Sequence, residues 1–465
     1  MAGDLRDFET ELLRALAKLE RHTKFAEVLA DRSGGELLTI DSHSTTPMRE
    51  PHMQGAVFRA WGHGRWAEAA TSGLDGASVS AAAESLARTL DSSGTDGSPP
   101  GVSATAKHEW IDSPAHPVSS MGAAEVIALA RDVLGWALEV PGIKETQVTV
   151  GWSGEERFYL NSAGARTYRR LSRVRGGVVP LAIENGRTEF DFLGKGGIGG
   201  RELLGFLTEP NTKETARNAL ALLHAVAPPS GEMEVLLDPS TTGTFAHESF
   251  GHGTEADQFV RDRSYLKPLL GAEVGPPFLT IADDGAYPGG WGTIFSDDEG
   301  HPCQKTLLVS HGKFVGALHD RETAAVYHTS PTGNTRRSDF LSRAFVRMTN
   351  TYVEPADWTF EELVRETKHG VLLQRATSGI EDPQGGQMQL KVKKGRRIEN
   401  GELGELVTSM ALSGKVLDFL KGIRGVSRKP DFEIDPGYCG KGHGDLLPAG
   451  TGGPYLLSTA VVGPA

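Results

Sequence analysis

The sequence predicts an α+β protein of two domains, each an antiparallel curved or barrel-like sheet with flanking helices. The chain has 465 residues, which is too long for one ordinary hydrophobic core. Apolar residues recur at helical spacing in segments 5–30 and 121–139. Short alternating segments between turn residues fill much of the remainder and predict many short strands. The Pro/Gly-rich segment 228–231 separates an N-terminal α+β domain, 1–230, from a β-rich C-terminal domain, 231–465.

The elements of the N-terminal domain follow in order from periodicity and turn residues. The first helix is followed by a strand, a hairpin and an Ala-rich helix that Ser78 or Ser80 caps. Three strands follow helix 121–139, and a capping box at Asn211 and Glu214 opens the last helix. The predicted strands are 36–40, 56–61, 65–70, 147–152, 157–161 and 166–174, the last helix is 212–226, and 91–105 is a Ser/Gly/Pro-rich loop.

The C-terminal domain is predicted to begin with strand 234–237, and a turn at Pro239 then leads into a helix. Turn residues at His311-Gly312 and Asn400-Gly401 mark hairpins between later strands. The remaining predicted elements are strands 278–282, 306–310, 314–318, 344–353, 388–392 and 455–462, and a short helix at 413–423.

Two charged segments are predicted to be solvated. The first is a group of arginines at positions 166, 169, 170, 173 and 175. Because charged side chains are mostly exposed, we expect a solvated face paired with carboxylates rather than an anion site. The acidic turn 297–300 lacks the spaced oxygen ligands of a calcium loop, so it too is expected to lie in solvent.

Composition excludes several classes of function. The formal net charge of -12 argues against a nucleic-acid-binding surface, which needs a basic patch. No apolar run reaches the length of a membrane span, and the N-terminal residues do not resemble a signal peptide. Cys303 and Cys439 cannot form a disulfide framework. We therefore expect a reduced, cytoplasmic protein that binds neither nucleic acid nor membrane.

The chemistry of the chain is concentrated in the segment from His247 to His252, where Glu248 follows the first imidazole. Imidazole is the commonest metal ligand, and a neighbouring carboxylate can take a proton from water. The histidines are five residues apart, which places them roughly 140° out of phase on a regular helix. Both reach one metal only if the turn is deformed, for example by a π-bulge, and Gly251 would ease that distortion.

A catalytic zinc site usually has three protein ligands, so a third must come from elsewhere in the chain. Cys439 is the best candidate because it lies in a Gly-rich segment that could bring a thiolate to the helix. Glu255 and His443 are rivals, and Glu255 could instead orient a histidine. Cys303 is expected to be buried or incidental.

Two further groups are candidates for substrate binding. Asn334, Arg336 and Arg337 form a polar segment that could hold a peptide carboxylate. Gly385 and Gly386 precede an alternating strand, and glycines there would let a peptide approach as an added strand.

Together these segments resemble the TldD/PmbA peptidases, which are also called modulators of DNA gyrase. The matching segments, in family order, are 245–255, 297–300, 347–350, 385–387 and 439–441, with a weaker likeness at 161–164 and in the helix before Pro228. The resemblance implies a metal held at His247, His252 and Cys439, with Glu248 as the catalytic carboxylate. It also implies unfolded peptide substrates and pairing with a related subunit that lacks the metal motif. Where the family tends to show Gly-Gln after 439–441, this chain has Gly442 and His443, which leaves the role of His443 open.

We therefore predict a zinc metallopeptidase of the HExxxH type with one Zn²⁺ per catalytic chain. It would cleave unfolded peptides or peptide precursors, as a homodimer or as a heterodimer with a PmbA/TldE-like paralogue. One alternative is a metal-dependent amidase or tailoring hydrolase acting on a small peptide-like metabolite. The other is a non-catalytic partner-binding protein with a structural metal, which would need four protein ligands.

Overall fold

The computed structural model describes residues 3–62, 64–91, 101, 106–441 and 445–465, and the fold is α+β, as the sequence predicts. None of the helices in these ranges is long and apolar enough to cross a membrane. The α-helices are α1 (Glu9–Leu19), α2 (Gly76–Asp91), α3 (Ala123–Leu138), α4 (Glu209–Leu223), α5 (Pro239–Thr244), α6 (Ala256–Val260), α7 (Arg321–Val326), α8 (Phe360–Glu366) and α9 (Val416–Lys421).

In the first half of the chain, the described strands form one eight-stranded sheet. They are β1 (Ala26–Asp41), β2 (Thr45–Gly62), β3 (Arg65–Thr71), β4 (Lys107–Ile111), β5 (Ile143–Asn161), β6 (Arg166–Glu184), β7 (Arg187–Phe190) and β8 (Leu193–Ile198). The order is β3-β2-β1-β5-β6-β4, and β7 and β8 also pair with β6. All of these pairs are antiparallel except β4 with β6.

Alternation along the strands gives this sheet one apolar face and one charged face. On β1, Val28 and Ala30 pack in the apolar cluster formed with α1 and α2. Their neighbours Glu27 and Asp31 point to the other face, where Glu27 accepts from Arg321 of the second half. Asp31 accepts from Arg157, which also donates to Asp298 of the second half. The two halves therefore meet across a charged surface.

The second half builds a small barrel and two further sheets. Its strands are β9 (Gly231–Leu237), β10 (Ile281–Asp284), β11 (Lys305–Ser310), β12 (Lys313–Phe314), β13 (Thr335–Arg336), β14 (Phe345–Val346), β15 (Asn350–Val353), β16 (His369–Glu381), β17 (Gln387–Glu399), β18 (Glu402–Val407), β19 (Met410–Lys415), β20 (Gly425–Val426), β21 (Glu433–Lys441), β22 (Asp445–Gly453) and β23 (Leu456–Pro464). The order β16-β9-β23-β19-β17 closes on itself because β17 also pairs with β16. A six-stranded sheet has the order β12-β11-β10-β15-β22-β21, and β13 pairs with β14. The pairs β9–β16 and β15–β22 are parallel, which the prediction of antiparallel sheets did not anticipate.

Several predicted boundaries are wrong for identifiable reasons. The first helix ends at Leu19 rather than near residue 30, and β1 begins at Ala26. The first seven residues of β1 are all buried, and such a run cannot be told from a buried helix by periodicity. Asp75, not Ser78 or Ser80, caps α2, because its carboxylate accepts the N–H groups of Ala77 and Ser78.

Other segments were divided wrongly or missed. The predicted strands 147–152 and 157–161 are one strand, β5, and strand 344–353 is divided between β14 and β15. Thr208, not Asn211, caps α4. Strands β16, β21 and β22 and helices α7 and α8 were not predicted. Most of the predicted loop 91–105 lies outside the described residues.

The prediction that two charged segments are solvated is also wrong. Arg169, Arg173 and the acidic turn 297–300 are buried where the two halves meet, because odd-numbered residues of β5 and β6 point to the charged face of the sheet. We call this cluster the arginine–carboxylate network; its members are Glu27, Asp31, Arg59, Glu155, Arg157, Arg169, Arg173, Asp298, Glu299 and Arg321. The pairing with carboxylates was predicted correctly; the exposure was not.

Candidate metal centre

The two histidines of the motif are brought together by a π-helix, Phe245–Gly251, which continues α5 without a break. The backbone N–H of His252 donates to the carbonyl oxygen of His247, which is the i→i+5 bond that defines this turn. The widened turn places the two imidazole rings 5.2 Å apart between centroids. The deformed turn that the five-residue spacing predicts is therefore confirmed.

Packing around the π-helix fixes its position. Asp238 caps α5 by accepting the N–H of Thr241 at 2.8 Å, and Phe245 and Phe250 are fully buried in the core of the second half. Gly251 has an ordinary helical φ of -59°, so conformational freedom is not its role. A Cβ atom there would lie 2.1 Å from the Met348 sulfur, so the glycine is needed for close packing.

Cys439 reaches this helix from β21, as the sequence predicts. Its Sγ lies 3.5 Å from Nε2 of His252, and ligand atoms of His247, His252 and Cys439 all lie within 4.8 Å of one another. The buried guanidinium of Arg347 donates to the carbonyl oxygen of Cys439 and holds this part of β21 against the helix. Two nitrogen donors and one sulfur donor at this spacing are the ligand types that zinc prefers.

The electrostatics of the three side chains favour a thiolate. Burial opposes ionisation of the Cys439 thiol, but the two histidines outweigh it and hold its pKa well below the usual value. Burial opposes protonation of His247 too, yet Cys439 raises its pKa. For His252, Glu255 and Cys439 overcome burial and raise the pKa well above its ordinary value. A thiolate is the form of cysteine that binds metal.

These residues fit a metal ion. The Nδ1 atom of His247 is buried and has no hydrogen-bond partner among the described residues. Such a buried group costs free energy unless something satisfies it. Two imidazoles and a thiolate converge here, and that donor set matches zinc or another borderline-soft divalent metal.

Glu248 lies beside this cluster and faces open space. One of its carboxylate oxygens is 3.8 Å from Nε2 of His252, and its side chain is 28% exposed. Gly379 on β16 makes room for it, because a Cβ atom there would lie 2.6 Å from Cγ of Glu248. A carboxylate in this position can exchange protons with a water or a substrate held next to the three donors.

Glu255 occupies the opposite side of His252. Its carboxylate lies 3.3 Å from Nδ1 of His252 and 2.9 Å from Nζ of Lys441, which also contacts Asp257 at 2.8 Å. Burial raises the pKa of Glu255, but Lys441 and His252 outweigh it and lower the pKa below its usual value. Of the two roles considered for Glu255, this geometry favours orienting the histidine over binding a metal. The rival ligand His443 lies outside the described residues.

The other predicted binding residues do not face the cluster. Asn334 and Arg336 are buried and donate to backbone carbonyls, Asn334 to Arg347 and Arg336 to Met348 and Pro448. They hold the chain together and are not free for a substrate. Gly386 has a φ of 66° in the tight turn between β16 and β17, which explains why glycine is needed there.

Peptide addition at Gly385 and Gly386 is also contradicted by the pairing of the strand that follows. From Met388 to Val392, β17 pairs with β16 on one side and with β19 on the other. Neither edge is left for a peptide. Cys303, expected to be buried or incidental, donates its thiol to the carbonyl of Gly333 at 3.0 Å.

A second group of metal-ligating residue types, Asp297, Glu299 and His301, is buried elsewhere. The Asp297 carboxylate accepts the N–H groups of Glu299, His301 and Thr335. Glu299 is paired with Arg59 at 2.9 Å and accepts the N–H of Arg321. The carboxylate oxygens of Asp297 and Glu299 already accept hydrogen bonds from the protein. The group is therefore part of the contact between the two halves.

Glu381, at the end of β16, is a residue near the site that the sequence did not suggest. Both of its carboxylate oxygens are buried and have no hydrogen-bond partner in the described part of the chain. Burial raises its pKa to about 8 despite the opposing effect of His252. No motif in the sequence surrounds it, and only the pairing of β16 with β17 brings it here.

A cleft of about 560 Å³ between the two halves gives access to the cluster. The second half contributes His247 and Glu248 together with residues 375–379 of β16. The first half supplies the opposite wall, which includes Arg175, Phe190, Phe192 and Lys195. The cleft is large enough for a segment of peptide and has charged, polar and aromatic walls.

Comparisons with known proteins agree with this geometry. The family model described as the PmbA/TldA metallopeptidase C-terminal domain matches residues 230–462, and the model of the central domain matches residues 116–223. A metalloprotease of Methanocaldococcus jannaschii is 36% identical over 321 residues, which cover 69% of this chain and 70% of that protein. A zinc metalloprotease TldD homologue of Saccharolobus solfataricus is 31% identical over 235 residues, covering 50% of this chain and 52% of that one.

Among solved structures, TldE from Thermococcus kodakarensis superimposes with a TM-score of 0.77 at 18% identity. The match covers 97% of this chain and 100% of TldE. At this identity the likeness concerns the fold alone, and it extends over both halves of the chain.

Proposed function

Since the chain belongs to the PmbA/TldD metallopeptidase family, we propose that it is a zinc-dependent peptidase that hydrolyses peptide bonds of unfolded peptides or peptide precursors. The observation that carries this proposal is the convergence of His247, His252 and Cys439 within 4.8 Å, next to Glu248 and open to a cleft. One relative is named a zinc metalloprotease, which supports zinc as the metal.

In this proposal His247, His252 and Cys439 hold the zinc. When bound, the ion would supply Lewis-acid chemistry at the scissile carbonyl and would make a nearby water more acidic. Glu248 takes the proton from the attacking water and later delivers it to the leaving amine. Glu255 keeps Nδ1 of His252 engaged, so that Nε2 of the same ring faces Cys439.

An extended substrate fits the wall of the cleft better than a folded one. Strand β9 pairs with β16 only from Gly370 to Leu373, and no described strand pairs with that edge of β16 beyond this point. Residues 376–379 of this edge line the cleft beside Glu248. A peptide can add here as a strand, with backbone hydrogen bonds that do not depend on its sequence. We place strand addition at β16 in this way instead of at Gly385 and Gly386.

The test combines metal content with cleavage. We expect about one zinc per wild-type chain by elemental analysis, and far less in Cys439→Ala. We also expect cleavage of unfolded polypeptides by the wild type and not by the variant. Full zinc in Cys439→Ala would remove this residue from the ligand set, and hydrolysis restricted to short N-acylated dipeptides would favour the amidase alternative.

The structural-metal alternative makes a different prediction for the ligand count. Such a site has four protein ligands and no open position. Among the described residues the group contains three, and Glu248 beside it faces the cleft. Metal spectroscopy that finds four protein donors would support that alternative.

We extend the proposal to assembly and setting. The chain pairs either with itself or with a TldE-like subunit that lacks the metal motif, for which the fold shared with TldE is the support. Light scattering of the purified chain, alone and with such a subunit, distinguishes the two. Both cysteines are free, and a thiolate ligand must stay reduced, which suits the cytoplasm.

A further inference from the structure

Two arginines of the cleft form no direct ion pair with a carboxylate of the described residues. Arg175 from β6 and Arg375 from β16 line the cleft from opposite halves of the chain. Neither guanidinium forms an ion pair or hydrogen bond with another described side chain, whereas Arg169 and Arg173 on the same strand as Arg175 both pair with Glu155. The sheet therefore neutralises its buried arginines and leaves the one at the cleft unpaired.

The backbone around Arg375 is built to hold this side chain in place. Arg375 has a φ of 63°, a conformation that non-glycine residues rarely adopt, and a bulge follows it between Ala376 and Ser378. Bulges beside active sites redirect side chains, and strain of this kind persists where the surrounding structure fixes it. The buried carboxylate of Asp238 accepts the N–H of Arg375 at 2.9 Å and stabilises the turn.

Aromatic rings position both guanidinium groups. Arg175 lies over the ring of Tyr438 at 5.4 Å, and Tyr438 precedes Cys439 in the chain. Arg375 lies over the ring of Phe192, across the cleft, at 5.8 Å. Stacking on a ring holds the planar group while leaving its N–H donors available for a carboxylate.

The remaining charges of the cleft do not cancel these two. Glu248 is beside the metal cluster, and Lys195 at the rim is 3.5 Å from Glu433. Asp435 is the other acid of the lining, and Ser240 hydrogen-bonds its carboxyl group. Burial and Glu433 raise the pKa of Asp435 to about 6, and Arg375 opposes that rise, so this carboxylate is still ionised at pH 7 and attracts Arg375 without a direct ion pair. The lining nevertheless holds three cationic side chains against two acidic ones, which leaves a positive balance in the cleft.

The distance along β16 gives a register. Arg375 is four residues from Gly379, the residue against Glu248, and the bulge between Ala376 and Ser378 reduces this separation to about three strand steps, or roughly 10 Å. A substrate strand beside β16 rises by the same amount per residue. A substrate carboxylate that reaches Arg375 would therefore lie about three to five residues from the scissile bond beside Glu248.

We propose that Arg175 and Arg375 form a carboxylate-binding subsite that selects peptides with a carboxylate about three to five residues from the cleaved bond. The inference rests on the proposed peptidase function and adds a substrate class to it. The carboxylate comes either from an Asp or Glu side chain or from the free C-terminus of the peptide. Both sources use the same bidentate chemistry of arginine.

The experiment uses matched peptides of ten residues with an uncharged background. In one series, a single Glu is placed at each position in turn, and each peptide is compared with the same peptide carrying Gln there. Both termini of these peptides are blocked. A second pair differs only in a C-terminal acid or amide. Mass spectrometry locates the cleaved bond, and kcat/KM is measured for the wild type, Arg175→Gln, Arg375→Gln and the control Arg396→Gln, which removes an exposed charge on β17 outside the cleft.

We expect the wild type to favour the carboxylate peptide by about tenfold over its neutral counterpart, as charge-assisted hydrogen bonds suggest. The ratio should fall towards one in Arg175→Gln and Arg375→Gln and persist in Arg396→Gln. An effect confined to the Glu series identifies side-chain recognition, and one confined to the acid–amide pair identifies the C-terminus. Ratios near one in the wild type, or ratios that survive both cleft variants, overturn the subsite.

Binding separates this inference from the proposed function. Fluorescence anisotropy with labelled peptides on Glu248→Gln reports the subsite without catalysis. Carboxylate-selective binding combined with no cleavage by the wild type would uphold the subsite and overturn the peptidase. Cleavage without carboxylate preference would uphold the peptidase and overturn the subsite.

Discussion

The metal cluster and the arginine–carboxylate network are both built from buried polar side chains, yet they treat charge in opposite ways. In the network, Asp298 is shared by Arg157 and by Arg169 at 2.8 Å, and the guanidinium of Arg157 also donates to the carbonyls of Arg337 and Ser338. In the metal cluster, Nδ1 of His247 has no partner in the described part of the chain and Glu248 faces the cleft. In the network, paired charges hold the two halves of the chain together. In the metal cluster, the unpaired donor atoms lie where we expect metal binding and catalysis.

This difference separates stability from activity in experiments. Changes in the metal cluster should alter zinc binding or rate and leave the fold nearly intact. Changes in the network should unfold the protein without a direct effect on zinc. Variants in each region and a pH titration of both regions test this separation.

The largest effect is expected for Glu248→Gln. The amide cannot accept the proton from water, so kcat should fall by about a thousandfold, in the range typical of a lost general base. Zinc content and melting temperature should match the wild type, because the carboxylate is part of neither the ligand set nor the network. Peptide cleavage and elemental analysis check this. A variant that cleaves at the wild-type rate would remove Glu248 from the mechanism.

The next largest effect is expected for Asp298→Asn in the network. Removing this charge leaves Arg157 and Arg169 buried without their shared partner, which should lower the free energy of unfolding by about 3–5 kcal/mol. Denaturant unfolding measures it. The matched control is Asp262→Asn, an exposed member of a pair with Lys267, which should change stability by less than about 0.5 kcal/mol. Equal effects of the two variants would contradict the role assigned to the network.

A smaller effect is expected for Glu255→Gln. This side chain orients His252 and neutralises Lys441, so the variant should bind zinc about ten- to a hundredfold more weakly, as is usual when such a supporting carboxylate is lost. Competition with a chelator measures the affinity. Complete loss of zinc would instead assign Glu255 to the ligand set.

The smallest change is expected in the fold itself between about pH 7 and pH 5. Burial raises the pKa of Glu155 and of Asp298, but their arginine partners outweigh it and hold both pKa values below the ordinary values of 4.5 and 3.8. A carboxylate with a lowered pKa in the folded state stabilises the protein above its unfolded pKa. That stability is lost as the pH falls further.

The ion pairs of Glu155 and Asp298 should therefore begin to weaken only below about pH 4.5. Metal binding behaves differently, because histidine and cysteine must release protons to bind zinc. Zinc should dissociate on acidification while the fold is retained. Circular dichroism and zinc release, followed in one titration, check the order of the two events. Unfolding that precedes or coincides with zinc release would break the distinction between the two regions.

The same contrast explains what the sequence could predict. The spacing of the two histidines is enough to predict the local geometry, because a five-residue separation requires a π turn for both rings to face one point. The Cys439 segment also resembled a known family motif. By contrast, the partner of Asp298 lies 141 residues earlier at Arg157, and nothing within the turn 297–300 reveals it. Exposure was therefore predicted for a turn that is buried.

The cleft shows the same limit. The prediction groups Arg175 with four other arginines of its strand. Alternation across the sheet separates it from Arg166 and Arg170, but only the position of Glu155 separates it from Arg169 and Arg173, which pair with that carboxylate. Arg375 and Glu381 belong to β16, which was not predicted at all. Local pattern predicts which chemistry a segment carries. The pairing of strands decides which distant residues contact that segment, and this pairing cannot be predicted from the local pattern of a single sequence.

The distance in sequence between the donors also has a consequence for biosynthesis. Cys439 follows His252 by 187 residues, and β23, which closes the barrel between β9 and β19, follows Cys439. A growing chain on the ribosome therefore carries its two histidines long before the thiol is made. Nascent and prematurely terminated chains lack the complete zinc site. The three-donor site is therefore completed only after Cys439 has been made, and a chain that stops before this residue carries two imidazoles without the thiolate.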